Sequence, residues 1–112
     1  MTFQSFDVVV VPFPYSDRLA EKRRPALVVS DPDLERSCGL IWVAMITSSG
    51  RSRLLGDVAL QDLKAAGLPV TSTIRTGKIA TIEPHRILRT AGRLAAVDQE
   101  AAKRALRSCA AF

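Results

Sequence analysis

Phe6-Asp7-Val8-Val9-Val10-Val11-Pro12-Phe13 carries four consecutive valines inside a short apolar run. β-Branched side chains lose rotamer freedom in a helix and pack well on a pleated surface, and the run is too short for a stable helix. It reads as a buried strand. Pro12 marks an edge or a bulge near its end, because proline cannot donate to a ladder. Working outward, Pro14 to Arg23 is polar and turn-rich, hence a loop. Pro25 to Ser30 (Pro-Ala-Leu-Val-Val-Ser) reads as a second strand stopped by Asp31-Pro32, and Leu40 to Ser48 as a third, with Trp42 expected in the core.

Beyond it, Ser49-Gly50-Arg51-Ser52-Arg53 is a basic turn and Asp57 to Leu60 a short strand. Gln61 to Ala66 suits one helical turn, stopped by Gly67 and Pro69. Thr71 to Thr76 and Lys78 to Glu83 read as two strands around Gly77, and Arg86 to Leu94 holds one more, weakly patterned. The period then changes. Val97, Ala101, Ala105 and Cys109 recur every four residues, with Ala102, Leu106 and Ala110 beside them, which is the apolar stripe of an amphipathic helix. Asp98 is its expected N-cap, and Lys103, Arg104 and Arg107 lie where the helix dipole favours cations. Many short strands followed by one helix predict a mainly β fold: a small, closed, SH3-like β-barrel with a short helix and a C-terminal helix packed on it.

The chain has 112 residues, 47% hydrophobic and 24% charged, which suits one folded unit over residues 1–112 with a modest core. No apolar run reaches the length of a membrane span. The N-terminus has no basic region before its apolar stretch, so the cytoplasm is the expected location. Twelve Arg and four Lys against eleven acidic residues leave a net charge of +5. Guanidinium forks fit phosphate and stack on bases, so this balance hints at nucleic acid.

Several chemistries are excluded or disfavoured. The one histidine, His85, cannot supply a paired acid and base, and it reads as a solvated loop residue. Asp31, Asp33 and Glu35 alternate as metal ligands could, yet one acidic patch after a strand reads better as a capped turn. Cys38 and Cys109 make neither a disulfide framework nor a zinc site, and Cys38 lacks a histidine to activate it. No phosphate-binding glycine loop or nucleophile elbow is present. What remains is a set of donors at strand ends. Lys22-Arg23-Arg24 leads into the second strand, and Thr47-Ser48-Ser49 ends the third. If those strands pair antiparallel, Arg24 and Thr47 become neighbours at one rim. A guanidinium beside hydroxyls is a receptor for a phosphodiester.

Phe6–Asp17 followed by Arg24-Pro25-Ala26-Leu27-Val28-Val29-Ser30 resembles the opening of the MazF/PemK toxins, a strand and a variable loop before an Arg-Pro-Ala-Leu-Val-Leu-Ser pattern. Val43–Ser49 resembles the family's strand ending in a Thr/Ser cluster. Ala66-Gly67-Leu68, Ser72-Thr73-Ile74-Arg75 and Lys78-Ile79-Ala80-Thr81-Ile82 resemble its later segments, and a C-terminal helix follows. Phe6 stands where many members open the first strand with glycine, and the loop before Arg24 is short and lacks their glycines.

The resemblance implies a MazF/CcdB-type fold and the toxin of a toxin–antitoxin pair. It implies a homodimer that cuts single-stranded RNA without metal or cofactor, leaving a 2′,3′-cyclic phosphate and a 5′-hydroxyl. It also implies a cognate antitoxin as partner. Its catalytic arginine falls on Arg24, its catalytic threonine on Thr47, and a loop glutamate on Glu21. Tyr15, Arg18, Lys22, Arg23, Ser48, Ser49, Arg51, Arg53 and Lys78 are the candidates for holding RNA. Phe13 fits that surface or the core equally. Two alternatives share the architecture: a CcdB-like topoisomerase inhibitor, whose Trp-Gly-Ile end is unlike Ala110-Ala111-Phe112, and a non-catalytic RNA-binding module.

Overall fold

The computed structural model describes residues 2–13, 22–48 and 54–111. The elements run β1 (Asp7–Phe13), β2 (Lys22–Val28), α1 (Pro32–Cys38), β3 (Ile41–Thr47), β4 (Asp57–Ala59), α2 (Leu63–Ala66), β5 (Thr73–Ile82), a 3₁₀ turn (Pro84–Arg86), β6 (Arg89–Arg93) and α3 (Ala96–Cys109). The strands form one sheet in the order β4-β5-β3-β2-β1-β6, with every neighbouring pair antiparallel.

β1 shows why its valines are continuous rather than alternating. Val8 packs on one sheet face with Leu27, Ala44, Ile46 and Ile74, under Ala66, Leu94 and Ala102 from the helical side. Val9 and Val11 pack on the other with Ala26, Val28, Ile41 and Val43, against Phe3, Ile82 and Ile87. A strand covered on both faces needs apolar residues at every position.

The fold is the expected mainly β one, but the barrel is not closed: the edge strands β4 and β6 are not bonded to each other among the described residues. Helices take up the space between them. α3 lies against β4 and β5, and α2 against β6. The second contact is very close, since a Cβ at Gly92 would overlap the Ala65 carbonyl and one at Gly67 the Ala91 carbonyl.

Other local readings need correction. Asp31-Pro32 opens helix α1 instead of a mere turn: the Asp31 carboxylate accepts the Asp33 N–H at 2.8 Å, and Gly39 at φ 69° ends it. Residues 73–82 form one strand, with a bulge that absorbs Thr76–Lys78 between the pairs Met45↔Arg75 and Ala44↔Ile79. Trp42 is 45% exposed, not core. Ile41 and Val43 face the second cluster, so Trp42 turns to the first face, where it and the equally exposed Ile79 are left uncovered. Asp98 is not an N-cap. α3 starts earlier with Ala95 as its cap residue, and Asp98 is buried, accepting the N–H groups of Gln61 and Asp62 at 2.9 Å each. It ties α3 to the segment that leads into α2.

Candidate functional site

β2 and β3 pair as Val28↔Val43, Leu27↔Ala44 and Ala26↔Met45. The same register, carried two residues further, sets Arg24 across from Thr47. Arg24 is flanked on its other side by Val11 of β1, and Thr47 by Thr73 of β5. Directly opposed residues share a sheet face with Cβ atoms about 4.5–5.5 Å apart. Val11, Arg24, Thr47 and Thr73 therefore form one cross-strand row, on the face of Val9 and Val43. Arg24, Thr47 and Thr73 are each half-buried, at the end of the sheet where the loop before β2 and the loop after β3 depart.

One row inward on that face lies a pair that the motif reading left without a role. Arg75 of β5 is opposed by Asp57 of β4, with Nη1 3.6 Å from Oδ2 and both side chains largely buried. Asp57 Oδ2 also accepts the Leu54 N–H at 2.9 Å, while its buried Oδ1 has no partner among the described residues. Arg75 is diagonal to Thr47 across β3 and β5, a separation of about 7–8 Å between backbones. The available signal was the period-2 alternation of Thr73 and Arg75 about the buried Ile74.

Of the remaining candidates, Arg23 and Ser48 line one cleft together with Arg24. Ser48 follows Thr47 and is exposed, and Arg23 is exposed beside Pro12 of β1. Alternation turns Arg23 and Ser48 to the opposite face from Arg24 and Thr47. Lys22 pairs with Phe13 at the start of β2. Lys78 is exposed within the β5 bulge. It lies roughly 15 Å along the strand from Thr73 at 3.3 Å per residue, so it does not join the Arg24 row. Tyr15, Arg18, Glu21, Ser49, Arg51 and Arg53 lie outside the described residues. His85 is exposed in the 3₁₀ turn, its Nε2 3.7 Å from a Glu83 carboxylate oxygen. The acidic patch serves structure: Asp31 caps α1, and Glu35 accepts the Phe3 N–H at 2.8 Å.

Chemically, the row sets one guanidinium and two hydroxyls on one sheet face, with the Arg75–Asp57 ion pair one row inward. Among the described residues neither Arg23 nor Arg24 has a carboxylate within ion-pair distance.

Comparison with known proteins agrees with this architecture. The profile of the PemK-like, MazF-like toxins of type II toxin–antitoxin systems matches residues 4–109. Among solved structures, a mycobacterial endoribonuclease in complex with its cognate antitoxin superposes with a TM-score of 0.77 at 17% identity, covering 96% of this chain and 93% of that one. Mycobacterium tuberculosis toxin MazF-mt6 gives 0.73 at 21%, covering 92% and 94%. MazE-MazF from Deinococcus radiodurans gives 0.76 at 18%, covering 96% and 95%. At such identities the likeness is one of fold. No curated protein sequence matches the chain.

Proposed function

We infer that this chain, which belongs to the PemK-like, MazF-like toxins of type II toxin–antitoxin systems, is a metal-independent endoribonuclease that cuts single-stranded RNA. The observation that carries the reading is the common row and face of Arg24 and Thr47 at one end of the sheet.

Without a metal, the nucleophile is the ribose 2′-hydroxyl next to the scissile phosphate, so proximity comes from the substrate. Its oxygen bonds to phosphorus as the bond to the 5′-oxygen breaks, giving a 2′,3′-cyclic phosphate and a 5′-hydroxyl. Negative charge grows on the non-bridging oxygens. Arg24 donates to them, and the Thr47 hydroxyl orients the phosphate; both act most strongly in the transition state. Guanidinium stays protonated near neutral pH, so Arg24 is a donor and not the base. Glu21 is the proposed acceptor of the 2′-hydroxyl proton, and the leaving 5′-oxygen takes up a proton from solvent.

Its partners in this reading are single-stranded RNA, a second copy of the chain and a cognate antitoxin; the antitoxin complexes among the structural neighbours support the last. The proposed setting is the cytoplasm. Among the described residues no helix is long and apolar enough to cross a membrane.

The test is Arg24→Ala assayed on a long RNA in chelator with the cut ends mapped. Cleavage is expected to fall about 100–1,000-fold with the fold unchanged. Undiminished cleavage by that variant, or cleavage that needs added metal, removes the assignment.

A further inference from the structure

The row that carries Arg24 and Thr47 holds a third polar side chain, to which the mechanism above gives no part. Thr73 of β5 is paired directly with Thr47 of β3 and, on its other side, with Ala59 of β4. The row therefore reads Val11, Arg24, Thr47, Thr73, Ala59: three polar residues on neighbouring strands, bounded at each end by an aliphatic side chain. Thr73 is half-buried, so part of it still meets solvent. Its backbone is held on both sides. Its chain neighbours Ser72 and Ile74 are buried, and the Ser72 carbonyl accepts the Leu60 N–H at 3.0 Å. A hydroxyl on so fixed a strand is positioned before any ligand arrives, the condition under which a donor contributes most to a transition state.

Spacing decides what that hydroxyl reaches. Directly opposed residues have Cβ atoms about 4.5–5.5 Å apart, and a hydroxyl meets an acceptor oxygen at about 2.7–2.8 Å. A phosphate seated above the Thr47–Thr73 pair takes one hydroxyl on each of its two non-bridging oxygens. The longer Arg24 side chain reaches the same group from the next strand. The other neighbour of Thr73 along the row, Ala59, ends in a methyl group and offers its hydroxyl no partner. Arg75, two residues further along β5 on the same face, has its guanidinium 3.6 Å from Asp57 Oδ2. We propose that Thr73 is a further catalytic residue, its hydroxyl donating to the non-bridging oxygen that Thr47 does not hold. The proposal rests on the ribonuclease reading above and adds a residue to it. As the 2′-oxygen bonds to phosphorus and the bond to the 5′-oxygen breaks, negative charge rises on both non-bridging oxygens. Thr73 keeps its proton and forms no covalent bond; its hydrogen bond strengthens as that charge grows. Two hydroxyls on two oxygens also fix the rotation of the phosphate, which holds the leaving oxygen in line with the attacking one.

The test compares Thr73→Val, which keeps the β-branched shape and removes the hydroxyl, with Thr73→Ser, which keeps the hydroxyl. Thr73→Ala is a second hydroxyl deletion, and thermal melting checks folding. The substrate is a short RNA spanning one mapped cut. It is also made with sulfur in place of either non-bridging oxygen at that linkage, as the separated Rp and Sp forms. At saturating RNA, Thr73→Val and Thr73→Ala should cut about 10–100-fold more slowly than wild type, the loss expected for one hydrogen bond to a charged group. Thr73→Ser should stay within about threefold of wild type. Binding of an uncleavable 2′-O-methyl oligonucleotide should change by less than about threefold in each variant, because the bond counts mainly in the transition state. Sulfur accepts hydrogen bonds poorly, so both sulfur forms should slow the wild type. In Thr73→Val one form should lose most of its sulfur penalty while the other keeps it, a split that a merely structural threonine does not produce. Thr73→Val cutting at the wild-type rate overturns the proposal and leaves the ribonuclease reading standing. So does Thr73→Ser as slow as Thr73→Val, a loss confined to oligonucleotide binding, or sulfur penalties that the variant leaves unchanged. A wild-type protein that cuts no RNA removes the ribonuclease reading, and the role of Thr73 with it.

Discussion

Phe6 has a backbone φ of 73°, the left-handed region that glycine enters freely and a bulky residue does not. It stands where the resemblance places glycine, so the departure in sequence is not a departure in backbone. Its N–H donates to the Val28 carbonyl at 2.7 Å, and its own carbonyl accepts the Leu94 N–H at 3.1 Å. Those bonds hold the strained residue, while its ring packs on the first-face core and lies 5.8 Å below the Lys103 ammonium. A left-handed conformation costs a residue with a Cβ about 1–2 kcal/mol. Phe6→Gly and Phe6→Ala both lose the ring, but only the first loses the strain. Chemical denaturation should find Phe6→Gly the more stable of the two by about 1 kcal/mol, against the usual order. Asp98 carries a second prediction. Each of its carboxylate oxygens accepts one backbone N–H. Asp98→Ala leaves those donors unpaired and should cost about 2–4 kcal/mol in urea unfolding. Asp98→Asn keeps one acceptor and should cost less.

At the scale of elements, the contact of α2 with β6 is the tightest constraint. Neither Gly67 nor Gly92 has room for a methyl group, because a carbonyl of the facing element occupies that space. Gly92→Ala should therefore push α2 off the sheet edge and destabilise the protein by about 1–3 kcal/mol. Hydrogen exchange should show the loss of protection concentrated in α2 and β6 rather than spread over the sheet. Most strands were legible in the sequence because β-branched residues and short apolar runs are local signals. Helix α1 has no such signal because it is short and polar; its capping residues mark a turn as readily as a helix. The merging of two expected strands into β5 is hidden in the sequence for another reason. Gly77 looks like a break, but it lies in a bulge that keeps the ladder going on both sides.

At the scale of the whole molecule, the net charge of +5 gathers meaning only where cations share a surface. If three or four Arg and Lys side chains meet phosphates, the logarithm of RNA affinity should fall with the logarithm of salt at a slope of about −2 to −3. Arg24→Ala should reduce that slope by about 0.7. An 2′-O-methyl oligonucleotide titrated at several salt concentrations measures both; a flat response would mean that the basic face does not hold RNA. The closeness of Arg24 and Thr47 was legible because antiparallel pairing of consecutive strands brings the start of one beside the end of the next. Arg75 and Asp57 were not, because their meeting depends on where the bulge in β5 shifts its register.

By itself, the order of residues determined the mainly β composition, the positions of most strands, the amphipathic C-terminal segment and the donors available for a phosphate. Each of these depends on neighbours a few residues apart, through backbone propensity, periodicity and steric limits. Only the tertiary structure decided that the barrel stays open, that Trp42 faces outward, that Asp98 binds another segment, and that Arg75 meets Asp57. Those outcomes depend on register and on which elements cover a face, and both are set by contacts between residues far apart in the chain.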